Sequence, residues 1–423
     1  MRTYTEALAY LNQFINYERT QPQRYAPETL SLDRVNRLLD RLGRPDRPYR
    51  AIHIAGTKGK GSTAAMIESC LRAAGYRTGF YTSPHLHTFR ERMRVNNEYI
   101  SREMFAQLVA ELEPHLSAIE GVTWFEIVTT LAFMFFARSQ IDVAVLEVGL
   151  GGRFDATNVV TPLVSVITSL SLDHMNLLGN TIEQIAFEKA GIIKRRVPVV
   201  SAPQVPEALD VIRRVARMRG AKLTVAPLPQ PSPVTPGREL PLLGAHQLIN
   251  AGVALTALQI AQQRGLPIDE EAMQRGLAAV KWPGRLEVLS RDPLLVVDGA
   301  HNGDSAQKLA AALREVFHLD QWTLIVGISA DKDIPTILDG LLPIAKRVIV
   351  TRASNSRAAN LETLGAQVTD RGDAPTSAAS VAEALDLALT DQTPIIVTGS
   401  LFTVADAREA WFKRTGLPLE KDE

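Results

Sequence analysis

The sequence has very little cysteine, no net charge and no long apolar run. One cysteine among 423 residues excludes an intramolecular disulfide and a cysteine-based zinc cage. Basic residues number 46 and acidic residues also 46, so net charge gives no indication of a nucleic-acid partner. The longest nearly apolar stretch, residues 127–137, is too short to span a bilayer. We therefore expect a protein that binds neither membranes nor nucleic acid.

The N-terminal segment lacks the basic and then apolar layout of a signal peptide, so we expect a cytoplasmic protein. The single cysteine, Cys70, lies in a predicted helix, where a small buried hydrophobe is expected rather than a reactive thiol. The chain is longer than one hydrophobic core usually supports, and this length predicts two domains.

The stretch at residues 50–75, RAIHIAGTKGKGSTAAMIESCLRAAG, has the three parts of a phosphate-binding turn. These parts are a buried strand, a glycine-rich loop and a helix. Glycines let the backbone aim several N–H groups at one anion, and the helix N-terminus adds a partial positive charge. The pattern predicts binding of a nucleotide's phosphates by Gly56, Thr57, Lys58, Gly59, Lys60, Gly61 and Ser62, which the resemblance described below makes an ATP site.

This loop is a shortened variant of the common P-loop. The common pattern requires glycine at position 54 and Ser or Thr directly after the lysine, where this chain has Ile54 and Gly61. The order Gly-x-x-Gly-x-Gly also differs from the dinucleotide fingerprint. A tight turn with incidental lysines is the alternative, and the flanking strand and helix favour the nucleotide hypothesis.

Alternating strand and helix patterns predict an α/β fold in two parts. Residues 1–285 are predicted to form a domain with a mostly parallel, P-loop-type sheet and helices on both faces, preceded by a short helical segment. The alternation restarts after the Trp-Pro-Gly-Arg motif at 282–285, which predicts a second, smaller α/β domain at 286–423.

Three polar residues follow predicted strands, at the edge where open parallel sheets bind ligands. They are Ser83, Glu147 and His174. Together with phosphate oxygens they are suited to a hard divalent cation, most plausibly magnesium. A turn serine, a strand-end carboxylate and a hydrogen-bonded histidine are the individual alternatives, and their convergence favours a metal site.

Lys189 falls on the apolar stripe of the helix predicted at 181–190. A desolvated ammonium loses its proton more readily, so a neutral or modified amine is one interpretation, and a stem that reaches solvent is the other. Asp298 is suited to ribose hydroxyls, and Arg285, beside the interdomain hinge, is suited to a phosphate. Both are also compatible with ordinary turn positions.

Six motifs, in this order, closely resemble those of folylpolyglutamate synthases, which in bacteria often also act as dihydrofolate synthases and belong to the Mur ligase superfamily. The motifs are IAGTKGKGS, YTSPHL, LEVGLGGRFDATN, SLDHMNLLGNTIEQIAFEKAGI, WPGRLE and DGAHN. The resemblance extends from about residue 32 to the C-terminus. It implies the Mur ligase architecture, in which a Rossmann-like C-terminal domain serves glutamate ligation.

The resemblance implies an ATP-driven ligase. Such an enzyme phosphorylates a carboxylate of folate or dihydropteroate, and the amine of L-glutamate then attacks the acyl phosphate, releasing phosphate beside the ADP. These small molecules are the implied partners, and we expect a monomer. Whether the chain extends folate, makes dihydrofolate or does both is open at this stage, as are the preferred folate form and chain length.

The resemblance also assigns the metal and catalytic positions. It implies that Ser83, Glu147 and His174 bind magnesium and that Lys189 is carbamylated, which turns this lysine into a carboxylate that supports a second metal. The implied catalytic residues are Lys60, Lys189, His174 and Glu147.

The ligand contacts follow by position in the same way. Matching ATP positions are Asn250, Arg285 and Asp298, and the glutamate side has His301 and Ser400. Phe125 is expected to stack on the pterin ring and Asp155 to bond its polar edge. The full set on the pterin or folate side is Thr123, Trp124, Phe125, Glu126, Arg153 and Asp155.

Two departures from the family pattern stand out. Lys58 replaces an asparagine found in many relatives, and the polar segment 14–31 is longer than usual, which could reshape the folate entrance.

Two other functions share part of this sequence pattern. A cell-wall ligase would need a further N-terminal domain, for which the roughly 50 residues before the P-loop leave no room. A nucleotide-dependent switch protein would not need the metal set or the DGAHN motif.

Overall fold

The computed structural model describes residues 2–18, 30–228 and 239–422. The chain folds into two α/β domains, each built on a mostly parallel sheet, as predicted. Parts of the polar segment 14–31 and of the proline-rich tract 227–241 lie outside the described residues. Within the described residues, no helix is both long and apolar enough to cross a membrane.

The N-terminal sheet has eight strands. They are β1 (Arg50–Ala55), β2 (Thr78–Tyr81), β3 (Met93–Val95), β4 (Glu98–Tyr99), β5 (Val143–Glu147), β6 (Val164–Ile167), β7 (Val199–Ser201) and β8 (Leu223–Val225). Their order is β4-β3-β2-β5-β1-β6-β7-β8, and only the pairs β2/β3 and β3/β4 are antiparallel. This order places β1 between β5 and β6, so the loops after these three strands meet at one edge.

Helices cover both faces of this sheet. They are α1 (Tyr4–Leu11), α2 (Leu32–Arg41), α3 (Lys60–Ala73), α4 (Arg102–Leu116), α5 (Trp124–Arg138), α6 (Met175–Leu178), α7 (Ile182–Ala190), α8 (Pro206–Arg219), α9 (Ala245–Gln263) and α10 (Glu270–Ala279). One apolar core joins α1, α2, α4 and α5 to the sheet, and another joins α3, α9 and α10 to the opposite face. Apolar side chains on both faces explain why β1 and β5 are buried almost throughout.

Helix boundaries follow from capping more than from apolar periodicity. Residues 127–137 are nearly all apolar, but α5 begins earlier, at Trp124, because Thr123 and Glu126 form a capping box. Thr181 and Gln184 form another capping box at the start of α7. Apolar residues at helical spacing extend over 4–17, but α1 ends at Leu11.

The C-terminal domain contains a six-stranded sheet. Its strands are β9 (Glu287–Arg291), β10 (Leu294–Val297), β11 (Trp322–Val326), β12 (Ala345–Val350), β13 (Thr376–Ser377) and β14 (Ile395–Thr398), in the order β13-β12-β11-β14-β10-β9. Only the pair β9/β10 is antiparallel. The helices are α11 (Gly303–Phe317), α12 (Ile334–Leu341), α13 (Leu361–Thr369), α14 (Val381–Ala388) and α15 (Leu401–Thr415).

A tail after α15 crosses back to the N-terminal domain. The carboxylate of Asp422 accepts hydrogen bonds from the Tyr4 hydroxyl at 2.7 Å, the Thr88 hydroxyl at 2.6 Å and the Phe89 N–H at 2.6 Å. Charge-assisted hydrogen bonds of this kind are stronger than neutral ones. The tail is therefore a second link between the domains, in addition to the chain at the hinge.

The P-loop helix α3 packs closely against α10. Cys70 is fully buried there, its Sγ donates to the Met273 carbonyl at 3.2 Å, and burial raises the pKa of the thiol to about 12. A Cβ atom added to Gly276 would lie 2.3 Å from the Cys70 Cα, so the helices approach at glycine distance. The expected role of Cys70 as a small buried residue is confirmed.

We expect Gly276→Ala to destabilise the protein by about 1–3 kcal/mol, because the new methyl group meets backbone that has no room to move. Gly365→Ala is the matched control, since this glycine is also inside a helix but its nearest neighbour, a methyl of Val350, lies 4.0 Å from the added Cβ. The control should gain about 0.5–1 kcal/mol. Urea unfolding of both variants measures the difference, and equal stability of Gly276→Ala and the native protein would contradict the close helix contact.

Candidate functional site

The predicted phosphate-binding loop runs from the end of β1 to the start of α3. Gly59 is the N-cap of α3 with a positive φ of 80°, and a Cβ added there would lie 2.2 Å from the Asn250 side-chain oxygen. Only glycine tolerates both the conformation and the contact. The structure thus brings Asn250, on α9, to the start of α3, as the ATP hypothesis expects.

The amide groups of the loop differ in what they bind. Thr57 and Lys58 both donate their N–H groups to the Ser169 carbonyl at 3.0 Å, so these two amides hold the loop against the end of β6. The N-terminus of α3, which begins at Lys60, has no side-chain cap. First-turn N–H groups have no partner inside a helix, and those of α3 are therefore available to an anion.

Gly61, the residue that breaks the common P-loop pattern, is in contact with the interdomain hinge. A Cβ added to Gly61 would lie 2.6 Å from the Trp282 ring. Trp282 also packs against Phe80, with 5.7 Å between ring centroids. A serine or threonine at position 61 would displace the tryptophan, so the irregular loop sequence and the hinge are structurally linked.

Ser83 and Glu147 follow the neighbouring strands β2 and β5. The Ser83 N–H donates to the Glu147 carboxylate at 3.3 Å, which confirms that the two residues meet. Glu147 is only 4% exposed, and this burial raises the pKa of its carboxyl, while Lys60 and Arg285 act in the opposite direction. A buried carboxylate with one long hydrogen bond retains unused acceptor capacity toward a cation.

Lys189 is buried on α7, with 4% of its surface exposed. Burial lowers the pKa of its amine to about 7, and nearby Lys60 acts in the same direction. Asp173 opposes the shift only in part. The interpretation of Lys189 as a stem that reaches solvent is therefore wrong, and a substantial fraction of neutral amine is expected near neutral pH.

His174 caps α6 in a left-handed conformation, with φ at 50°. It lies within electrostatic range of Lys60, Lys189 and Lys332, and is therefore on the same side of the cleft as the phosphate-binding loop. Its neighbour Asp173 pairs with Lys58 at 3.5 Å. Burial alone would raise the pKa of Asp173, but Lys58 and the nearby cations lower it to about 2.

Four further predicted residues lie at the hinge or in the C-terminal domain, and two of them, Arg285 and Asp298, are beside the hinge. Asp298 accepts the Leu286 N–H at 2.8 Å and the Ala300 N–H at 2.9 Å, so its carboxylate holds the hinge backbone. The Arg285 guanidinium lies across the adjacent backbone, 2.5 Å from where a Cβ on Gly299 would stand.

The two glutamate-side residues differ in availability. His301 Nδ1 is 2.8 Å from the Gly299 carbonyl, and burial together with Lys58 lowers the pKa of the imidazole to about 4. The ring is therefore neutral, with Nδ1 as donor and Nε2 as an acceptor. Ser400 is the N-cap of α15, and its hydroxyl already accepts from the Thr403 N–H at 3.0 Å. The Ser400 hydroxyl is thus used mainly to cap this helix.

On the predicted folate side, Phe125 is the residue best placed for a ligand. Its ring edge would be 2.6 Å from a Cβ on Gly149, at the mouth of the loop after β5. Glu126 is bound twice, capping α5 at the Thr123 N–H and pairing with Arg34 at 3.0 Å. Trp124 is buried. The first turn of α5 is thus a rigid base beneath Phe125.

Asp155 and Arg153 are engaged within the protein. One carboxylate oxygen of Asp155 accepts from the N–H groups of Gly149 and Leu150, each at 3.0 Å, and the other accepts from Thr157. Arg153 forms a two-pronged pair with Glu188, at 2.9 and 2.6 Å. Both residues therefore shape the loop after β5, and a polar ligand edge would have to share the Asp155 carboxylate.

Sequence reasoning gave no role to two charged residues that the structure places in the cleft, Asp173 and Lys332. Asp173 balances the lysines of the loop, and Lys332 lies within electrostatic range of His174 and His301. A carboxylate directly before His174 at the end of β6 was an available signal. Lys332 comes from the loop after β11, and only the folded structure relates it to the P-loop.

The protein residues fit the predicted magnesium site in chemistry. No group of three or more His, Cys, Asp or Glu side chains suited to a metal occurs in the described ranges. A cation at Glu147 would consequently need the Ser83 hydroxyl, one imidazole and oxygens from substrate or water. Magnesium keeps several such oxygens, and the under-used Glu147 carboxylate supplies the negative charge.

Comparison with known proteins agrees with this geometry. Residues 54–201 match the Mur ligase middle domain and residues 284–401 match the Mur ligase glutamate ligase domain. The dihydrofolate synthase/folylpolyglutamate synthase of Bacillus subtilis is 37% identical over 89% of this chain and 94% of its own length. The folylpolyglutamate synthase of Lacticaseibacillus casei is 37% identical over 96% of this chain and 98% of its own.

Solved structures show the same relationship. Mycobacterium tuberculosis folylpolyglutamate synthase complexed with ADP superposes with a TM-score of 0.87 at 33% identity, covering 96% of this chain and 98% of that one. Escherichia coli FolC in complex with DHPP and ADP gives a TM-score of 0.85 at 32% identity, covering 98% of this chain and 100% of that one. The chain therefore belongs to the folylpolyglutamate synthase/dihydrofolate synthase family of the Mur ligases.

Proposed function

We propose that the chain is an ATP-dependent, ADP-forming ligase that adds L-glutamate to folate or to dihydropteroate through an acyl phosphate. The observation that carries this proposal is the cleft itself, where a phosphate-binding helix start, the strand-end residues Ser83 and Glu147, and Arg285 of the hinge converge. The family membership supplies the substrate class, and the similarity covers 94% and 98% of the two relatives named above.

The P-loop residues bind and position the ATP phosphates. The N–H groups at the start of α3 and the Lys60 ammonium face the anion, while Asn250 and Asp298 are assigned to the nucleotide. Phosphoryl transfer depends mainly on positioning and on offsetting charge that develops on the transferred group. Lys60 and Arg285 both lie within electrostatic range of Glu147, and they would offset the negative charge on the transferred phosphoryl group.

Ser83, Glu147 and His174 would hold magnesium. When bound, the cation neutralises charge on the phosphate oxygens and orients them. Glu147 supplies the buried negative charge for it, and Ser83 is held beside Glu147 by a backbone hydrogen bond.

Lys189 is proposed to be carbamylated. A neutral amine adds to carbon dioxide and loses one proton, which leaves a carboxylate in place of the cation. Lys60 and Lys58 favour this product, because it replaces a positive charge that they repel with a negative one. The new carboxylate would support a second magnesium site on the side of the cleft that holds His174.

The folate or dihydropteroate ring is proposed to bind beside Phe125, with Asp155 and Arg153 holding the loop that faces it. Thr123, Trp124 and Glu126 fix the start of α5. The domain boundary is proposed between residues 285 and 286, so that Arg285 belongs to the hinge. Closure of the two domains around the acyl phosphate would exclude water, which would otherwise hydrolyse it.

L-glutamate is proposed to enter from the C-terminal domain, with His301 Nε2 as an acceptor and Ser400 fixing the start of α15. The expectations of a monomeric, cytoplasmic enzyme without a nucleic-acid partner remain predictions.

With magnesium-ATP, purified protein should release ADP only when L-glutamate and either tetrahydrofolate or dihydropteroate are both present. Mass spectrometry of the products, with each acceptor offered separately, should show the added glutamyl units and decide between one activity and two. Release of ADP that is independent of L-glutamate would contradict the ligase assignment.

Lys189→Ala should abolish turnover. Bicarbonate, added so that the concentration of dissolved carbon dioxide is the same at each pH, should stimulate the native enzyme more at pH 8 than at pH 6. The reason is that an amine with a pKa of about 7 is mostly neutral only at the higher pH. Steady-state rates measure both effects. Lys194→Met is the control, because the Lys194 amine lies near α7 but donates to the Asn158 carbonyl, and its activity should be retained.

Thermal unfolding of Lys189→Ala separates a catalytic from a folding defect. Removing a buried charge should leave the unfolding temperature unchanged or raised. An active Lys189→Ala enzyme would rule out the carbamate.

A further inference from the structure

A cavity of about 310 Å³ lies between the two domains, beside the hinge. Its walls come from β3 and β4 at one side of the N-terminal sheet, from the hinge, from α15 and from the tail after α15. Small-molecule sites commonly measure about 300–1,000 Å³, so the cavity has room for a compact ligand. Aromatic and aliphatic side chains such as Tyr99, Trp282 and Phe412 make up much of the wall.

Arg94 lines this cavity, and its guanidinium forms no ion pair with the described residues. It is 7% exposed, and no carboxylate in the described ranges lies within ion-pairing distance of its guanidinium. Its Nε donates to the Glu91 carbonyl at 3.0 Å, and one terminal nitrogen is 3.5 Å from the Asn97 side-chain oxygen. A guanidinium has five N–H donors, so most of its donors remain for a ligand.

Aromatic rings hold the Arg94 guanidinium in place. Its central carbon is 5.0 Å from the ring centre of Tyr99 and 5.7 Å from those of Phe80 and Trp282. Cation–π contacts stabilise the cation but leave its in-plane donors free. The donor fork is therefore fixed before any ligand arrives, which reduces the entropy that binding would cost.

A second arginine, Arg408 of α15, faces the same cavity from the C-terminal domain. It pairs with Glu287 at 3.0 Å and donates to His87 Nε2 at 2.6 Å, where the imidazole is neutral because burial and Arg408 lower its pKa to about 4. Burial raises the pKa of the Tyr99 hydroxyl, and both Arg94 and Arg408 act to lower it. The two cations are thus close to one point of the wall.

The two carboxylates of the wall do not balance Arg94. Glu91 accepts the N–H groups of Leu86, His87 and Thr88, at 2.7–2.9 Å. Glu420, on the tail, pairs with Arg90 outside the cavity. Both carboxylates therefore have their own partners, and neither uses the guanidinium donors of Arg94.

The cavity lies next to the proposed reaction centre. Thr82 and Pro84 line it on either side of Ser83, Leu401 follows Ser400, and Arg285 belongs to both sites. A ligand in the cavity would therefore contact Arg285 and the sequence neighbours of Ser83 and Ser400.

We propose that this cavity binds a glutamyl carboxylate, with Arg94 as its main partner and Arg408 as the second. The proposal rests on the proposed ligase function, in which the carboxylates of the incoming L-glutamate and the α-carboxylate at the glutamyl end of folate are not phosphorylated. An arginine fork matches a carboxylate in two-pronged geometry, and the apolar wall suits the methylene groups of a glutamyl unit. The carboxylate belongs either to the L-glutamate being added or to the glutamyl end of the folate substrate.

Steady-state kinetics of Arg94→Met test the proposal, because this change removes the charge and keeps most of the stem. Loss of a charged hydrogen bond should raise one KM about ten- to a hundredfold, with KM for ATP unchanged. A higher KM for L-glutamate with both acceptors identifies the incoming amino acid. A higher KM for tetrahydrofolate, but not for dihydropteroate, which has no glutamyl group, identifies the folate tail. Arg94→Lys should recover part of the loss.

Arg44→Met is the control, because Arg44 is also mostly buried in the N-terminal domain but pairs with Asp46 at 2.7 Å, far from the cavity. This variant should unfold at a lower temperature with every KM unchanged. Arg94→Met should keep the native unfolding temperature, since no ion pair is broken. Unchanged KM values, or a stability loss without a KM change, would refute the cavity proposal, while ADP release by the native enzyme would still support the ligase.

Discussion

The burial of several lysines close together in one cleft is the constraint on which the site depends. Lys58, Lys60 and Lys189 lie within electrostatic range of one another, and the nearby carboxylates are Asp155, Asp173, Asp304 and the buried Glu147. Burial is the main reason why the Lys189 amine gives up its proton easily, and repulsion from Lys60 and Lys58 acts in the same direction. A polyphosphate ligand gives the cations of both domains one common partner.

Close backbone contacts hold this charged cleft in shape. Gly59 leaves space for Asn250, and Gly61 leaves space for Trp282, so the phosphate-binding loop is in direct contact with α9 and the hinge. A movement of the hinge would therefore change the packing around the loop. On the far side, the tail that ends in the Asp422 contacts spans the same domain junction. Nucleotide binding and domain position are consequently coupled through packing as well as through charge.

Much of this arrangement is predictable from local sequence. The loop at Gly56–Ser62 and the strands that deliver Ser83 and Glu147 follow from glycine spacing and apolar runs, because parallel strands bring their carboxyl ends to one edge. The hydrogen-bond partners are less predictable. Asp155 is engaged by its own loop and Ser400 by a helix cap, and such local bonds compete with a ligand role that position alone suggests. Arg94 shows a third case, since its lack of an ion-pair partner among the described residues depends on residues distant in sequence.

The single buried thiol has a practical consequence for following the motion of the two domains. Cys70 is packed between α3 and α10, and its raised pKa leaves almost no thiolate at neutral pH. Maleimide dyes and nitroxide spin labels would consequently react with cysteines introduced on the surface, while the native residue stays unmodified. One such cysteine on each domain would place a fluorophore pair across the cleft, and energy transfer between the two would report its opening and closing in solution during turnover.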